Sequence, residues 1–311
     1  MLIDVSALQY KQHFSLDPHP FLSEQFLELN KWKTDKLVRL ITNNDKVSLG
    51  LVAGIKNKML LSPFSAPFGG FHYRNEYIFI SEIEDFLEDL KEYAKTAELK
   101  SVYLSLPPLI YQKSFNAKVV NSLIRLGYKM LIPEITSCLN LIEFNYRFSY
   151  TTCRNNYKRA VRNKLTFKIL NNIEEKRKGY ELIWENRSQR GRLIHMTFDE
   201  IIQTNSIWPT DFFCIYNEEC QMVACAIFYQ FPENIAYAAL WGDNLIGRSL
   251  LSMDFLIFNL WNHYKLLGYQ YVDIGNSTVC GMPNETLLRF KEIHECNSSI
   301  RFRFSYEVVN E

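Results

Sequence analysis

One order of helices and strands occurs twice in this chain, and this internal repeat constrains the fold more than any other feature. Residues 83–143 predict a helix, a strand, a second helix and a final strand, and residues 249–309 predict the same order. The two series are offset by roughly 165–170 residues and share little side-chain identity, so the repeat is one of topology. We therefore predict an α/β fold with mixed sheets, divided into two related domains, residues 1–145 and 146–311.

The composition agrees with two packed cores. Of the 311 residues, 47% are hydrophobic, and the 22 Phe and 18 Tyr supply ample side-chain volume for burial. The net charge of +1 gives no argument for a nucleic-acid or anionic-membrane partner. The seven cysteines form no CxxC pair and are typical of reduced thiols.

Neither a signal peptide nor a transmembrane segment is predicted. The chain does not open with a basic stretch followed by an apolar run. The helix predicted from Ser249 is apolar, but Asp254 and Lys265 interrupt it, which is typical of a core helix. We therefore expect a cytoplasmic protein, and the sequence leaves the oligomeric state open.

Polar and aromatic side chains gather where two predicted strands end. The cluster comprises Tyr237, Trp241, Asp243, Asp273 and Asn276. Ligands of open sheets bind outside the carboxyl ends of the strands, and an Asp there can deprotonate an amine nucleophile. Lys291, on the following helix, could pair with Asp273 or bind a phosphate. Capping or solvation explains each residue alone equally well, but the cluster as a whole indicates a site.

A basic helix lies in the middle of the chain. No acidic residue occurs between Glu143 and Glu174, and Arg154 and Arg162 lie on one predicted helical face with Arg159 in the adjacent row. Such a face repels itself unless it meets anions, such as coenzyme phosphates or the backbone of tRNA. A solvated face that pairs with acidic residues nearby is an equally good interpretation.

A second basic cluster follows a helix end, with Arg187, Arg190 and Arg192 around Gly191. It could be a loop that approaches a phosphate. It could equally be a helix C-terminus, which favours cations for electrostatic reasons.

An aromatic and glycine-rich loop covers residues 63–71. Gly69 and Gly70 permit close approach of the backbone to a ligand, so together with Phe64 and Phe68 they are candidates for an acceptor groove. The alternative is that the aromatic rings cover a core.

The sequence predicts no metal site. The six histidines show neither HxH nor HExxH spacing, and GxSxG and GxxxxGK[ST] are also missing. A Cys–His pair stays open as a possibility, because its members need not be close in sequence.

Three segments, taken in order, resemble one family. SPFSAPFGGF (62–71), RNNYKRAVRN (154–163) and YVDIGNS with NETLLRFKEIHEC (271–296) are similar to the GNAT-related, FemAB-like aminoacyltransferases that build peptidoglycan bridges. The resemblance is greatest to a two-domain bacterial branch. It covers roughly residues 45–300, and it depends on the ordered set rather than on one motif.

The resemblance implies tandem GNAT domains, each with a sheet that a β-bulge splits to admit an acyl donor. In the family, a helix N-terminus faces the pyrophosphate of the donor. The matching positions here are Gly247, Arg248, Ser249 and Leu250, with Asn276 nearby. The turn contains one glycine where most GNAT loops have more, so acyl-CoA and aminoacyl-tRNA both remain possible donors.

We therefore expect an N-acyltransferase. The C-terminal domain would bind the donor, with Asp243, Asp273 and Tyr237 as catalytic candidates. The acceptor would be a small-molecule or peptidoglycan-precursor-like amine. The residues expected to contact substrate are Phe64, Phe68, Gly69, Gly70, Arg154, Arg159, Arg162, Trp241 and Lys291. The alternatives are a non-catalytic ligand-binding protein on a degenerate GNAT scaffold, and an RNA-binding protein that uses the basic helix.

Overall fold

A computed structural model describes residues 1–43, 46–75, 77–112 and 114–309. The strands are β1 (Leu2–Asp4), β2 (Lys36–Thr42), β3 (Leu49–Lys56), β4 (Met59–Ser62), β5 (Phe71–Tyr73), β6 (Ser101–Ser105), β7 (Lys129–Met130), β8 (Glu134–Asn140), β9 (Thr166–Ile169), β10 (Thr210–Tyr216), β11 (Met222–Phe231), β12 (Ile235–Asp243), β13 (Tyr271–Asn276), β14 (Thr278–Val279), β15 (Met282–Pro283), β16 (Asn297–Arg301) and β17 (Arg303–Glu307). The helices are α1 (Ala7–His13), α2 (Glu24–Asn30), α3 (Ile80–Thr96), α4 (Ser114–Arg125), α5 (Thr151–Arg162), α6 (Ile173–Ser188), α7 (Phe198–Thr204), α8 (Leu245–Ser249), α9 (Ser252–Leu266) and α10 (Glu285–Ile293).

The chain divides into two compact units. Unit 1 comprises Met1–Ile135, Thr278–Met282 and the chain from Ser299 onward, and unit 2 comprises Thr136–Ser277 and Pro283–Ser298. The expected boundary at 145/146 stays a prediction. In the structure, β8 pairs antiparallel with β13 of unit 2, and β17 pairs antiparallel with β6 of unit 1.

The two large sheets have matching topologies. Sheet 1 has the order β1-β2-β3-β4-β6-β17-β7, with β5 paired to β3, and sheet 2 has the order β9-β10-β11-β12-β13-β8-β16. In each sheet the fourth and fifth strands are parallel: β4 with β6, and β12 with β13. The sixth strand of each sheet, β17 or β8, comes from the other copy of the sequence repeat. The predicted topological repeat is therefore present, with its final strands exchanged.

Each unit has its own hydrophobic core. In unit 1, α3 buries Phe86 and Leu90 in a core that also includes Phe304 of β17. In unit 2, α9 buries Leu260 and Trp261 in a core with strands β10 to β13. An apolar face of helical period identifies both core helices locally.

The helical segment after β12 is divided into α8 and α9, whereas the sequence predicts a continuous helix from Ser249. Leu251 adopts left-handed backbone angles, with φ of 62°, and separates the short α8 from α9. Asn244 begins α8, because its side chain accepts a hydrogen bond from the Gly247 amide at 2.8 Å. The first turn of α9 therefore begins three residues later than expected.

Candidate functional site

A cavity of about 570 Å³ opens in sheet 2 between β12 and β13. The parallel pairing of these strands ends at Tyr237 and Asp273, although β12 continues to Asp243. The separated ends of the two strands form opposite walls of the cavity. Its volume is within the range of small-molecule and cofactor sites, roughly 300–1,000 Å³.

Local irregularities in both strands cause this separation. On β12, Ala239 is an extra residue relative to β11, because the register shifts between Ile227 and Phe228. A bulge of this kind bends its strand and increases its twist. On β13, the register with β8 shifts between Asp273 and Asn276, where the Asp273 carboxylate accepts a hydrogen bond from the Gly275 amide at 2.8 Å.

The walls of the cavity carry an excess of positive charge. The basic residues are Arg187, Arg190, Arg192, Arg248 and Lys291. Of the described residues, Asp243 and Asp254 are the acidic ones in the wall. Cations that outnumber carboxylates in a partly enclosed site favour an anionic ligand.

Two of the arginines have depressed basicity. Burial and the neighbouring Arg192 lower the pKa of Arg187. Burial and Arg248 lower the pKa of Arg190, against the attraction of Asp243. Both effects disfavour the charged guanidinium, so an anion bound beside these side chains would relieve an unfavourable arrangement.

Asp243 is held at the end of β12. Its Oδ1 accepts hydrogen bonds from Asn186 Nδ2 at 3.0 Å and from Arg248 Nε at 3.2 Å, and Arg190 lies 3.9 Å away. Burial raises the pKa of Asp243, and the Arg248 hydrogen bond opposes that shift. A carboxylate fixed at the wall of the cavity is a candidate to accept a proton from a bound nucleophile.

The first turn of α9 forms another part of the wall. Leu251, Ser252, Met253 and Asp254 all line the cavity. The first amides of a helix have no acceptor within the helix, and the helix dipole adds partial positive charge there. Ser252 is fully buried, and its Oγ has no hydrogen-bond partner among the described residues. An oxygen-rich anion could bind both kinds of donor.

The structure places the predicted site residues of unit 2 in two groups. The following line the cavity: Tyr237, Trp241, Asp243, Arg248, Asn276 and Lys291. The cavity is not lined by Asp273, Gly247, Ser249 or Leu250. Asp273 is 1% exposed, and its carboxylate shapes the turn at Gly275.

The amides of α8 are engaged within the protein. Gly247 N–H donates to Asn244 Oδ1, and Leu250 N–H donates to the Ile246 carbonyl at 3.1 Å. The amides beside the cavity are instead those of the first turn of α9. The phosphate-binding role expected of residues 247–250 stays a prediction, and beyond Leu251 the backbone beside the cavity is that of residues 252–254.

Lys291 stabilises the irregular end of β13. Its Nζ donates hydrogen bonds to the carbonyls of Ile274 at 2.9 Å, Gly275 at 2.7 Å and Asn276 at 2.8 Å. Burial lowers the pKa of Lys291 to about 8, while the proximity of Cys296 and Asp273 opposes the shift. The lysine therefore fixes the cavity wall through backbone contacts.

The basic helix α5 does not line the cavity. Arg154 donates to the Phe148 carbonyl at 3.0 Å and to Thr151 Oγ1 at 2.8 Å, near the start of its own helix. Arg159 and Arg162 are exposed. Their predicted contact with substrate stays a prediction.

The aromatic loop lies in unit 1, and most of it is interior. Phe68 is 2% exposed, with its ring 4.9 Å from His19 and 5.1 Å from Phe21 between centroids. Gly69 and Gly70 are buried, and Phe64 is partly buried. This packing is the arrangement expected if the rings cover a core, and an acceptor role for the loop stays a prediction.

Sequence reasoning left Arg187, Arg190, Ser252 and Asp254 outside the predicted site. The arginines stood out as a cluster, but their pattern could not distinguish a ligand site from an ordinary helix end. Ser252 and Asp254 were placed inside a continuous core helix. A signal for them would have required prediction of the break at Leu251, which is neither Gly nor Asn.

Comparison with known proteins gives a likeness of fold. No protein-family model matches the chain. No curated protein sequence matches it either. Among solved structures, FemX matches with a TM-score of 0.68 at 12% identity, over 99% of this chain and 97% of FemX.

Two further solved structures have a similar fold. L-PGS from Bacillus licheniformis matches with a TM-score of 0.61 at 13% identity, over 96% of this chain and 89% of that one. A tandem GNAT protein from the clavulanic acid biosynthesis pathway matches with a TM-score of 0.55 at 10% identity, over 89% and 84%. The chain has a FemAB-like fold of the GNAT type.

Within the part of the chain that the structure describes, none of the helices combines the length and apolar character needed to cross a membrane.

Proposed function

We propose that the protein is an N-acyltransferase that binds its acyl donor in the cavity of unit 2. The observation that carries the proposal is the first turn of α9, where the unpartnered Ser252 Oγ and the helix amides meet the split of the sheet. Phosphate oxygens match these donors. The FemX, L-PGS and tandem GNAT likenesses support an acyl or aminoacyl transferase at the level of fold.

The chemistry would be direct transfer to an amine. The amine nitrogen attacks the donor carbonyl and forms the new C–N bond, while the C–S or C–O bond to the leaving group breaks. Asp243 would accept the proton that the amine loses, which agrees with its raised pKa. Arg248 would keep the Asp243 carboxylate oriented through its hydrogen bond.

The donor is proposed as one of two classes that share phosphate chemistry, a coenzyme A thioester or an aminoacyl-tRNA. The excess of arginine in the wall supports either class. The acceptor is proposed as a small-molecule or peptidoglycan-precursor-like amine. The assignment of Phe64, Phe68, Gly69 and Gly70 to the acceptor remains part of this hypothesis.

Calorimetric titration with acetyl-CoA, coenzyme A and charged tRNA tests donor binding. We expect one class to bind, and we expect Ser252→Ala to weaken that binding about tenfold or more, because a hydrogen bond to a charged group contributes roughly 1.5–3 kcal/mol. Ser249→Ala is the matched control, since Ser249 is exposed and its Oγ donates to the Ile246 carbonyl. Lack of binding by both classes, or equal loss in both variants, would contradict the donor site.

Mass spectrometry of reactions with a panel of amines then tests transfer. An acylated product supports the enzyme. Donor binding without any product would instead support the non-catalytic alternative, a ligand-binding protein with this fold.

A second candidate function, RNA binding, has support from α5. Lys158, Arg159 and Arg162 are exposed on this helix, and phosphate contacts of this kind make binding depend steeply on salt. Reversal of charge in Arg162→Glu should then weaken RNA binding and flatten its salt dependence. An unchanged salt slope would remove this candidate.

A further inference from the structure

Three buried side chains with different donor atoms meet behind the cavity wall. They are Cys153 on α5, Asp254 on α9 and His294 at the end of α10, and they are 0%, 8% and 1% exposed. One ligand atom from each lies within 4.8 Å of the other two. From this juxtaposition, we propose that Cys153, Asp254 and His294 form a zinc-binding site.

The contact between His294 and Asp254 is the first argument. His294 Nδ1 lies 2.6 Å from the Phe290 carbonyl, which can only accept, so Nδ1 carries a proton. In the neutral imidazole, Nε2 then presents a lone pair to Asp254 Oδ1 at 3.2 Å. Two acceptors at this distance repel each other unless a proton or a cation lies between them.

A zinc ion fits the distance between His294 Nε2 and Asp254 Oδ1. Zinc–nitrogen and zinc–oxygen bonds are about 2.0–2.2 Å, so two such ligands at a tetrahedral angle lie roughly 3.3 Å apart. The separation of 3.2 Å between Nε2 and Oδ1 is close to this value. A cation therefore fits between these two ligands with little movement of either side chain.

The surroundings resemble the outer shell of a metal site. Histidines that bind a metal usually donate their other ring N–H to a carbonyl or a carboxylate, as His294 does to Phe290. Asp254 Oδ1 also accepts a hydrogen bond from Asn156 Nδ2 at 3.2 Å. Trp261 Nε1 donates to the His294 carbonyl at 3.0 Å and so fixes the backbone of that residue.

The donor set selects the metal. Sulfur, imidazole and carboxylate together suit zinc, whereas magnesium and calcium prefer oxygen ligands alone. Cysteine binds zinc as the thiolate, so binding of zinc to Cys153 would displace the thiol proton.

The site would be accessible to a ligand. Three protein ligands leave one tetrahedral position for water or for a substrate atom. Asp254 belongs to the cavity wall, so the cation would be reached from the cavity. An amine, a thiol or a carbonyl oxygen of a ligand in the cavity could occupy the fourth position.

Zinc affinity can be measured on the full chain without any assay of activity. The chain is stripped with a chelator and titrated with zinc against a chromophoric competitor. We expect stoichiometric binding, an affinity loss of at least about 100-fold in Cys153→Ser and His294→Asn, and a loss of about 10- to 100-fold in the outer-shell variant Asn156→Ala. Cys220→Ser changes an exposed cysteine and should bind zinc like the parent.

Cobalt provides a second, spectroscopic measurement of the same site. Cobalt in the parent chain should give a near-ultraviolet band from thiolate ligation, and Cys153→Ser should lack it. Absence of the band in the parent, or zinc binding that is unchanged in a folded Cys153→Ser variant, would overturn the site. Because these readouts require no donor and no transfer, they separate this inference from the proposed enzyme.

Discussion

The two sheets share one topology, yet only sheet 2 is open at its parallel pair. In sheet 1, the pairing of β4 with β6 runs the full length of β4, from Met59 and Ser101 to Ser62 and Leu104. The loop after β4 then closes the split: Gly69 N–H donates to the Ser105 carbonyl at 2.8 Å, and Gly70 N–H donates to Ser62 Oγ at 3.1 Å. In sheet 2, the pairing stops at Tyr237 and the cavity begins.

The residues near the two parallel pairs also differ. Phe68, which precedes Gly69, is buried against the rings of His19 and Phe21, whereas Ala239 is an extra residue of β12 that has no partner on β11. The comparison shows that sheets of one topology can be closed or open at the parallel pair, so the topology alone does not create a ligand site. In the proposed function, the donor binds in unit 2, where the parallel pair is open and charged side chains line the cavity.

Truncation of the buried Phe68 ring should have the largest effect. Phe68→Ala removes a ring that is 2% exposed, so we expect a loss of about 3–5 kcal/mol in the free energy of unfolding, because a cavity remains in the core. Urea unfolding measures it. Phe79→Ala is the matched control, since Phe79 is 73% exposed and should change stability by less than about 0.5 kcal/mol. A similar small change in Phe68→Ala would show that the split of sheet 1 is not closed by packing.

Substitution of Asp243, at the open parallel pair of sheet 2, should lower the rate of transfer. With the donor identified, Asp243→Asn should lower kcat by about 10²- to 10⁴-fold, the usual contribution of a general base. Because the base must be ionised and its pKa is raised, kcat/KM of the parent should rise with pH through a midpoint above the ordinary value for Asp. A variant that keeps both the rate and the pH profile of the parent would exclude Asp243 as the base.

The outcome for particular residues shows what sequence can and cannot predict here. Local periodicity and the places where strands end predict the repeat, the helix α3, most of the helix α9, and the polar cluster at the ends of β12 and β13. The exchange of β8 and β17 between the copies depends on pairing between distant strands, which periodicity does not encode. The proposed zinc ligands Cys153, Asp254 and His294 are far apart in sequence, so a test of HxH and HExxH spacing does not address them.

Lys291 supports one side of the open split, and its contribution should depend on pH. Its pKa of about 8 in the folded chain lies below its ordinary value of 10.5, so between these values the unfolded chain binds more protons. The free energy of unfolding should therefore rise with pH across this window, by about 3 kcal/mol in total.

Lys291→Met should lose this rise, whereas the exposed Lys158→Met should keep it. Denaturant titrations at several pH values measure the slopes. Parallel slopes in the parent and in Lys291→Met would indicate that the ammonium is not desolvated in the wall of the cavity.

The smallest effects on stability should come from alanine substitutions at two glycines, one near the parallel pair of each sheet. A Cβ at Gly69 would lie 2.8 Å from the Pro63 nitrogen and 2.9 Å from the Ser62 carbonyl carbon, so Gly69→Ala must displace backbone and should cost about 1–3 kcal/mol. Gly275 lies at the open split with φ of 67°, and a Cβ at this residue would meet no atom within 4 Å. Its substitution should cost only the left-handed strain of alanine, about 1–2 kcal/mol.

Thermal unfolding of the two variants side by side measures this difference. We expect cavity-filling mutations near Gly275 to be tolerated better than those near Gly69, because a Cβ at Gly275 would meet no atom within 4 Å, whereas one at Gly69 would meet the backbone of Ser62 and Pro63. A larger loss in Gly275→Ala than in Gly69→Ala would reverse the comparison and place the tighter packing in sheet 2.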